Sequence, residues 1–203
     1  MSLSAYSAVG TSHTPVPSVS LVVKPDQARF SLTVSVETDS AAAAVPLLRR
    51  AAQRLEDLLP PLGGKLLVTD FDLTSGNAKV NKPQPQLSAT LVLPLAADAS
   101  VWDRAAKVAQ VDDLLRALID EGKRQKPNLE VRRALPIFVL ADPEAHRAKL
   151  LETLKARARS IAGDGAAELH ELAFERAVTQ RALSLEEVEV SLSLEGRLVM
   201  KLG

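Results

Sequence analysis

The chain has 203 residues, of which 46% are hydrophobic, and its 25 lysines and arginines are balanced by 25 aspartates and glutamates. This length and apolar fraction are typical of one large or two small globular domains, and the absence of a basic excess disfavours nucleic-acid binding. The absence of cysteine excludes disulfides, thiolate nucleophiles and cysteine-held metals. Bulk properties therefore favour a globular protein without cysteine chemistry.

The first residues carry no periodic pattern. Residues 1–17 are rich in Ser, Thr and Pro, which predicts a flexible N-terminal lead-in. A short apolar run at 19–23 ends in a turn signal at 24–26. Residues 28–38 then alternate between apolar and polar side chains, which predicts a half-buried strand.

A helical period replaces the alternation after residue 38. Leucines and alanines recur at steps of three and four through residues 40–62, with Asp39 or Ser40 as the expected N-cap. This spacing turns Leu55 toward the core and its neighbour Arg54 toward solvent. The predicted elements that follow are strands at 66–73 and 86–95 and a helix at 99–124, which Gly122 and Pro127 end.

The second half begins with a predicted strand at 131–141. The pair Asp142-Pro143 is an N-cap followed by proline at the first helical position, which predicts a helix at 143–162. Leu154 lies on its apolar face and Lys155 on its polar face. Two strand-like segments, 167–178 and 186–202, complete the chain.

The two halves share one order of elements. Strand–helix–strand–strand occurs in residues 18–98 and again in 128–203, with the helix at 99–124 between these two predicted units. The expected fold class is therefore α+β, with mainly antiparallel sheet and helices packed on one face.

Three segments carry a resemblance to a known family. They are PDQARFSLTVSVET, FVLADPEAHRAKLLETLKARARSIAGDGAAELHEL and EEVEVSLSLEGRLVMKL. Together they resemble the SIMPL domain of periplasmic immunogenic and outer-membrane proteins, and the resemblance covers residues 18–202. It implies a non-enzymatic bacterial envelope protein that forms homo-oligomers and has no established ligand.

Metal and catalytic sites are not indicated by the histidines. His13, His146 and His170 are far apart in the chain and share no metal-ligand spacing. The expected sets of catalytic residues, cofactor-binding residues and metal ligands are therefore empty, and we expect no structurally bound transition metal.

Other polar clusters have structural interpretations. Adjacent carboxylates at 112–113 and 120–121 diverge around a helix and predict a solvated face. Asp70 and Asp72 share a strand face, where solvation is the expected role. The glycines at 63–64 precede a strand, whereas a phosphate-binding loop precedes a helix. The basic side chains of the second-half helix are interleaved with glutamates, which predicts another solvated face; they are Arg147, Lys149, Lys155, Arg157 and Arg159.

Function is expected to lie in surfaces. The leading hypothesis is a structural or interaction protein that self-assembles, since alternating strands such as 188–194 can leave open sheet edges. The alternatives are a small-molecule binding module that uses a groove between the two predicted units and, with less support, a hydrolase.

The N-terminal residues bear on the cellular location of the protein. They lack the charged and apolar regions of a signal peptide. The protein is expected to be periplasmic or exported if a signal peptide is removed from it, and cytoplasmic otherwise. No stretch approaches the roughly 18–20 apolar residues that span a bilayer.

Overall fold

A computed structural model describes residues 11–15, 18–73, 76–77, 82–124, 126–162, 166–173, 177–193 and 195–201. The helices are α1 (Ala41–Leu58), α2 (Val101–Arg124) and α3 (Arg147–Ala162). The strands are β1 (Thr11–Pro15), β2 (Val19–Val23), β3 (Gln27–Val36), β4 (Lys65–Asp72), β5 (Gly76–Asn77), β6 (Lys82–Pro83), β7 (Gln86–Pro94), β8 (Leu129–Arg133), β9 (Ile137–Val139), β10 (Ala166–Ala173), β11 (Thr179–Ala182), β12 (Val188–Leu192) and β13 (Glu195–Lys201). The chain is therefore an α+β protein with mainly antiparallel sheets, as the sequence predicts.

The chain divides into two compact units. The larger unit comprises Lys24–Ala141 and Ala182–Glu187, and the smaller unit comprises the rest of the chain. These boundaries differ from the predicted pseudo-repeat of 18–98 and 128–203. β8 and β9, from the predicted opening strand of the second half, pair with β3 in the larger unit, and β2 belongs to the smaller unit.

The larger unit is a sheet covered by helices on one face. Its strands are arranged β4–β7–β3–β8, with β9 also pairing β3. Alternate residues of β3 point to the same side of the sheet as α1 and α2, and we call this side the helix face. The buried β3 residues on it are Ala28, Phe30, Leu32, Val34 and Val36. They form one core with buried leucines of both helices, which confirms the predicted alternation.

Helix α1 begins and ends close to the predicted points. The Ser40 hydroxyl accepts a hydrogen bond from the Ala43 N–H at 3.3 Å, which makes Ser40 the N-cap. A 3₁₀ turn at Pro60–Leu62 follows the helix, and Gly63 adopts the left-handed conformation with φ of 68°. Gly63 therefore ends the helical segment, because this conformation is strained for any residue with a Cβ.

Gly122 does not end α2, contrary to the sequence prediction. The helix continues to Arg124, and Gly122 lies buried within it. A Cβ at this position would lie 2.6 Å from the backbone oxygen of Leu129. The glycine therefore permits the close approach of α2 to the start of β8.

We expect Gly122→Ala to lower the free energy of unfolding by about 1–3 kcal/mol, because the new methyl group pushes α2 away from β8. Helix propensity acts in the other direction, since alanine is favoured over glycine by about 1 kcal/mol. Urea denaturation followed by circular dichroism measures the balance. An increase in stability would show that this approach tolerates a side chain.

The smaller unit contains two three-stranded sheets and α3. One sheet has the order β1–β13–β10 and the other β11–β12–β2. Helix α3 buries Leu150, Leu154 and Ala158, and its neighbour Lys155 is exposed. The Asp142 carboxylate caps the 3₁₀ turn before α3 by accepting from the Glu144 N–H at 3.0 Å. The predicted burial of Leu154, the exposure of Lys155 and the cap at Asp142 are thus confirmed.

The predicted flexible lead-in is partly wrong. Thr11–Pro15 form β1 and pair antiparallel with β13 along the whole strand. The segment is Ser, Thr and Pro-rich and shows no alternation, so its sequence gives no strand signal, and it is the pairing with β13 that defines the strand. Residues 1–10 and 16–17 of the predicted lead-in lie outside the described part of the chain.

Candidate interaction surface

The histidines provide no candidate centre among the described side chains. His146 is half-buried at the end of the 3₁₀ turn that precedes α3. The side chains of His13 and His170 lie outside the described residues. Within the part of the chain that the structure describes, no cluster of three or more His, Cys, Asp or Glu side chains could hold a metal ion.

Asp112, the first of the paired carboxylates of α2, is engaged in ion pairs. Asp112 bonds Arg116 at 2.8 Å and also bonds Arg133 of β8. Because Asp112 and Arg133 are both less than a quarter exposed, this carboxylate joins the helix to the sheet. The Asp112 side chain is therefore less exposed than the sequence predicts for a solvated helix face.

The next carboxylates along α2 are exposed. Asp120 lies 3.4 Å from Lys123, and Glu121 lies 3.2 Å from Arg54 of α1. Such exposed pairs contribute at most about 1 kcal/mol each. They are consistent with the solvated face that the sequence predicts.

The basic residues near the start of α3 form a local network. Arg147 donates to both carboxylate oxygens of Glu144 at 2.7 and 3.1 Å, and the Val178 N–H donates to the same carboxylate at 2.7 Å. These bonds, with Arg147 the larger cause, lower the pKa of Glu144. Its stabilising contribution is therefore present above the ordinary glutamate pKa and is lost as pH falls through the lowered pKa of the folded state.

A buried arginine, Arg104 of α2, was not singled out by the sequence analysis. Its side chain is 1% exposed. Its guanidinium donates to backbone oxygens of Pro25 at 2.8 Å, Ala96 at 3.1 Å and Ala99 at 3.3 Å. Arg104 lies four residues before Val108 and seven before Val111, so it is on the same face of the helix as these apolar residues. This spacing is the sequence signal that could have predicted its burial.

The Pro25-Asp26 pair joins the same region. The Asp26 backbone oxygen accepts from the Leu95 N–H at 2.7 Å, and its carboxylate accepts from the Ala141 N–H at 2.7 Å. The backbone N–H of Asp26 donates to Val139 at 3.2 Å. Asp26 therefore ties the entry of β3 to the segments that follow β7 and β9, which is a structural role.

Two of the cavities that lie between α1 and α2 differ in size. One, of about 130 Å³, is lined by residues that include Arg54, Leu118 and Glu121. The other, of about 520 Å³, is open and includes Leu58 and Leu114. Pockets for organic ligands typically enclose 300–1,000 Å³. The first is below that range, and the second is an open groove.

Strand β4 carries the most concentrated apolar exposure among the described strands. Leu67, Val68 and Phe71 are 45%, 52% and 38% exposed, and Leu73 directly after the strand is 39% exposed. β4 lies at the edge of its sheet, and β7 is its only pairing partner among the described residues. Exposed apolar edges of this kind are pairing sites unless they are blocked.

The strand expected to leave an open edge is not an edge strand. Val188–Leu192 form β12, which lies between β11 and β2. The alternation of apolar and polar residues in β12 arises because one face of the strand is buried, with Val188, Val190 and Leu192 on that face. The prediction of an open edge at 188–194 is therefore wrong for this strand. The exposed apolar edge residues described above lie on β4 instead.

The opposite edge of the same sheet is different in character. β8 presents Glu130 and Arg132, which form an ion pair at 2.7 Å. The apolar residues of this strand, Leu129 and Val131, are buried, so they are not exposed at the edge. The two edges of this sheet are thus unequal, and only β4 offers adjacent exposed apolar residues, Leu67 and Val68.

The fold and these surfaces define an α+β protein with mainly antiparallel sheets. No protein-family model matches the chain, and no curated protein matches it. Among solved structures, it is similar to a hydantoinase/carbamoylase family amidase from Burkholderia ambifaria, with 18% identity and a TM-score of 0.34. The match covers 64% of this chain and 34% of that chain, and likeness at this level carries no argument about activity. No described helix has the length and apolar character needed to cross a membrane.

Proposed function

We propose that the protein is a non-enzymatic structural or interaction protein that self-assembles. The observation that carries this proposal is the edge strand β4, where Leu67, Val68 and Phe71 are exposed together. Burying apolar surface contributes roughly 25 cal/mol per Å². A strand edge adds backbone hydrogen bonds to this gain, so pairing at β4 has two sources of stabilisation.

The polar groups of the larger unit support an assembly role over catalysis. Asp112 and Glu121 are held in ion pairs with arginines, and Arg104 is committed to backbone carbonyls. Catalysis requires polar groups that converge on a shared space where a substrate can bind. The structural bonds of these residues leave binding through surfaces as the better-supported role.

The proposed location is the bacterial cell envelope. Support comes from the resemblance of residues 18–202 to the SIMPL domain, which is found in periplasmic immunogenic outer-membrane proteins and in many uncharacterised bacterial proteins. Fractionation of cells that express the full open reading frame tests this location. Recovery of the protein with cytoplasmic markers alone would contradict it.

We expect a homo-oligomer at micromolar concentration. Size exclusion coupled to light scattering should give a mass that is a multiple of 21.7 kDa and decreases on dilution. A mass of 21.7 kDa at all concentrations would refute self-assembly. If that monomer carried a co-purifying small molecule, the binding-module alternative would replace the assembly role.

A further inference from the structure

We propose that β4 pairs antiparallel with β4 of a second copy, about a two-fold axis between Val68 and Thr69. This proposal rests on the proposed self-assembly and specifies its surface and register. In it, Lys65 of each copy lies opposite Asp72 of the other. The pairing would join the two sheets edge to edge and bring Leu66 of each strand beside Phe71 of the other.

The faces of β4 follow from its register with β7. Leu66, Val68 and Phe71 lie opposite Leu91, Ala89 and Leu87, so they are on the helix face. The other side of the strand, which we call the outer face, is defined by the same register. Its residues are Lys65, Leu67, Asp70 and Asp72.

An irregularity in β4 makes the self-pairing possible. The register with β7 shifts between Val68 and Asp70, so Thr69 is an extra residue in the strand. In a regular strand, residues seven apart such as Lys65 and Asp72 would lie on opposite faces. The extra residue places both on the outer face. Residues opposite each other in an antiparallel pair share a face, so the two can meet across the axis.

The same register matches the rest of the strand. It sets Leu66 opposite Phe71 on the helix face and Leu67 opposite Asp70 on the outer face. All eight residues of β4 then have a partner. A shift of one residue would set helix-face side chains opposite outer-face side chains, which pleated strands do not permit.

Charge identifies the occupant as a second copy. The strand has a positive side chain at one end, Lys65, and a negative side chain at the other, Asp72. An antiparallel copy presents the opposite order, so both ends of the pair are complementary at once. In a two-fold interface each contact occurs twice, and both Lys65–Asp72 contacts contribute.

The chain's lack of cysteine allows a direct test by disulfide formation. Lys65→Cys and Asp72→Cys chains are mixed in equal amounts and oxidised mildly. We expect a covalent dimer in the mixture, and little from either variant alone. Two copies of the same position would be roughly 20 Å apart at about 3.3 Å per residue, beyond the reach of a disulfide.

A matched control uses the other edge of the sheet. Arg132→Cys on β8, mixed with Asp72→Cys, should give no comparable dimer. If the protein is oligomeric by light scattering but the 65–72 disulfide does not form, the β4 register is wrong and self-assembly stands. If the protein is monomeric throughout, both proposals fail.

Charge reversal provides an independent measurement on the same pairs. Lys65→Glu creates two like-charge contacts across the axis and should weaken dimerisation by about tenfold. Adding Asp72→Lys to the same chain restores opposite charges and should recover most of the affinity. Equal dissociation constants for unmodified protein, single variant and double variant would overturn the register.

Discussion

Replacing Arg104 with alanine should destabilise the protein by about 3–5 kcal/mol and lower the melting temperature by about 10 °C. The side chain is almost fully buried, and its guanidinium donates to carbonyls of Pro25, Ala96 and Ala99. Alanine leaves a cavity and removes the guanidinium donor from all three carbonyls, of which that of Ala96 still accepts from the Ala99 N–H at 3.2 Å. Both losses occur where the loop before β3 meets the loop before α2.

Two variants separate the causes of that loss. Arg104→Lys keeps the charge, but one ammonium group cannot match a planar guanidinium that donates in three directions, so we expect an intermediate loss. Arg116→Ala removes an arginine of the same helix whose side chain is 67% exposed, and it should change stability by about 1 kcal/mol or less. Thermal melts compare all three variants with the unmodified protein. If Arg104→Ala melts like Arg116→Ala, the guanidinium has no structural role.

Elements with a strong period were predictable from the sequence. The alternation of β3 and the leucine spacing of α1 arise from burial against a single face, and the structure confirms both. Ser40 was one of two expected N-caps, because only a short polar side chain at that position can accept from the first turn of a helix. Local sequence determines features of this kind because their cause is local.

Tertiary contacts decided the features that the sequence did not reveal. The sequence places residues 131–141 in a second unit, but β8 and β9 pair with β3. A strand's alternation indicates which face is buried and carries no information on which strand it will pair with. Gly122 shows the same limitation, because a glycine near the end of a helical pattern resembles a helix stop until the neighbouring Leu129 is in place.

The candidate surface was predictable only in kind. The sequence predicts open edges at alternating strands such as 188–194. That alternation arises from burial, and β12 lies inside its sheet. β4 has the sequence of a core strand, with Leu67 and Val68 adjacent, and only its position at the edge exposes them. Sheet order is therefore the information that the sequence lacks.

The largest stability effects are expected from aspartate substitutions in the two units. Leu55 of α1 is 2% exposed and Leu154 of α3 is 1% exposed, each in its own unit. Leu55→Asp and Leu154→Asp each bury a carboxylate without a partner and remove a leucine from the core, at a cost of several kcal/mol. This approaches the whole stability of a typical domain. We expect each variant to unfold its unit or to accumulate as insoluble protein.

Neighbouring residues on the exposed side of the same helices provide the controls. Arg54 directly precedes the buried Leu55, and Lys155 directly follows the buried Leu154. Both are exposed. Replacing either by alanine should change the free energy of unfolding by about half a kcal/mol or less. Thermal melts of the four variants then test each helical face separately, because the two leucines lie in different units. If Leu154→Asp melted like the unmodified protein while Lys155→Ala unfolded, the buried face of α3 would be misassigned.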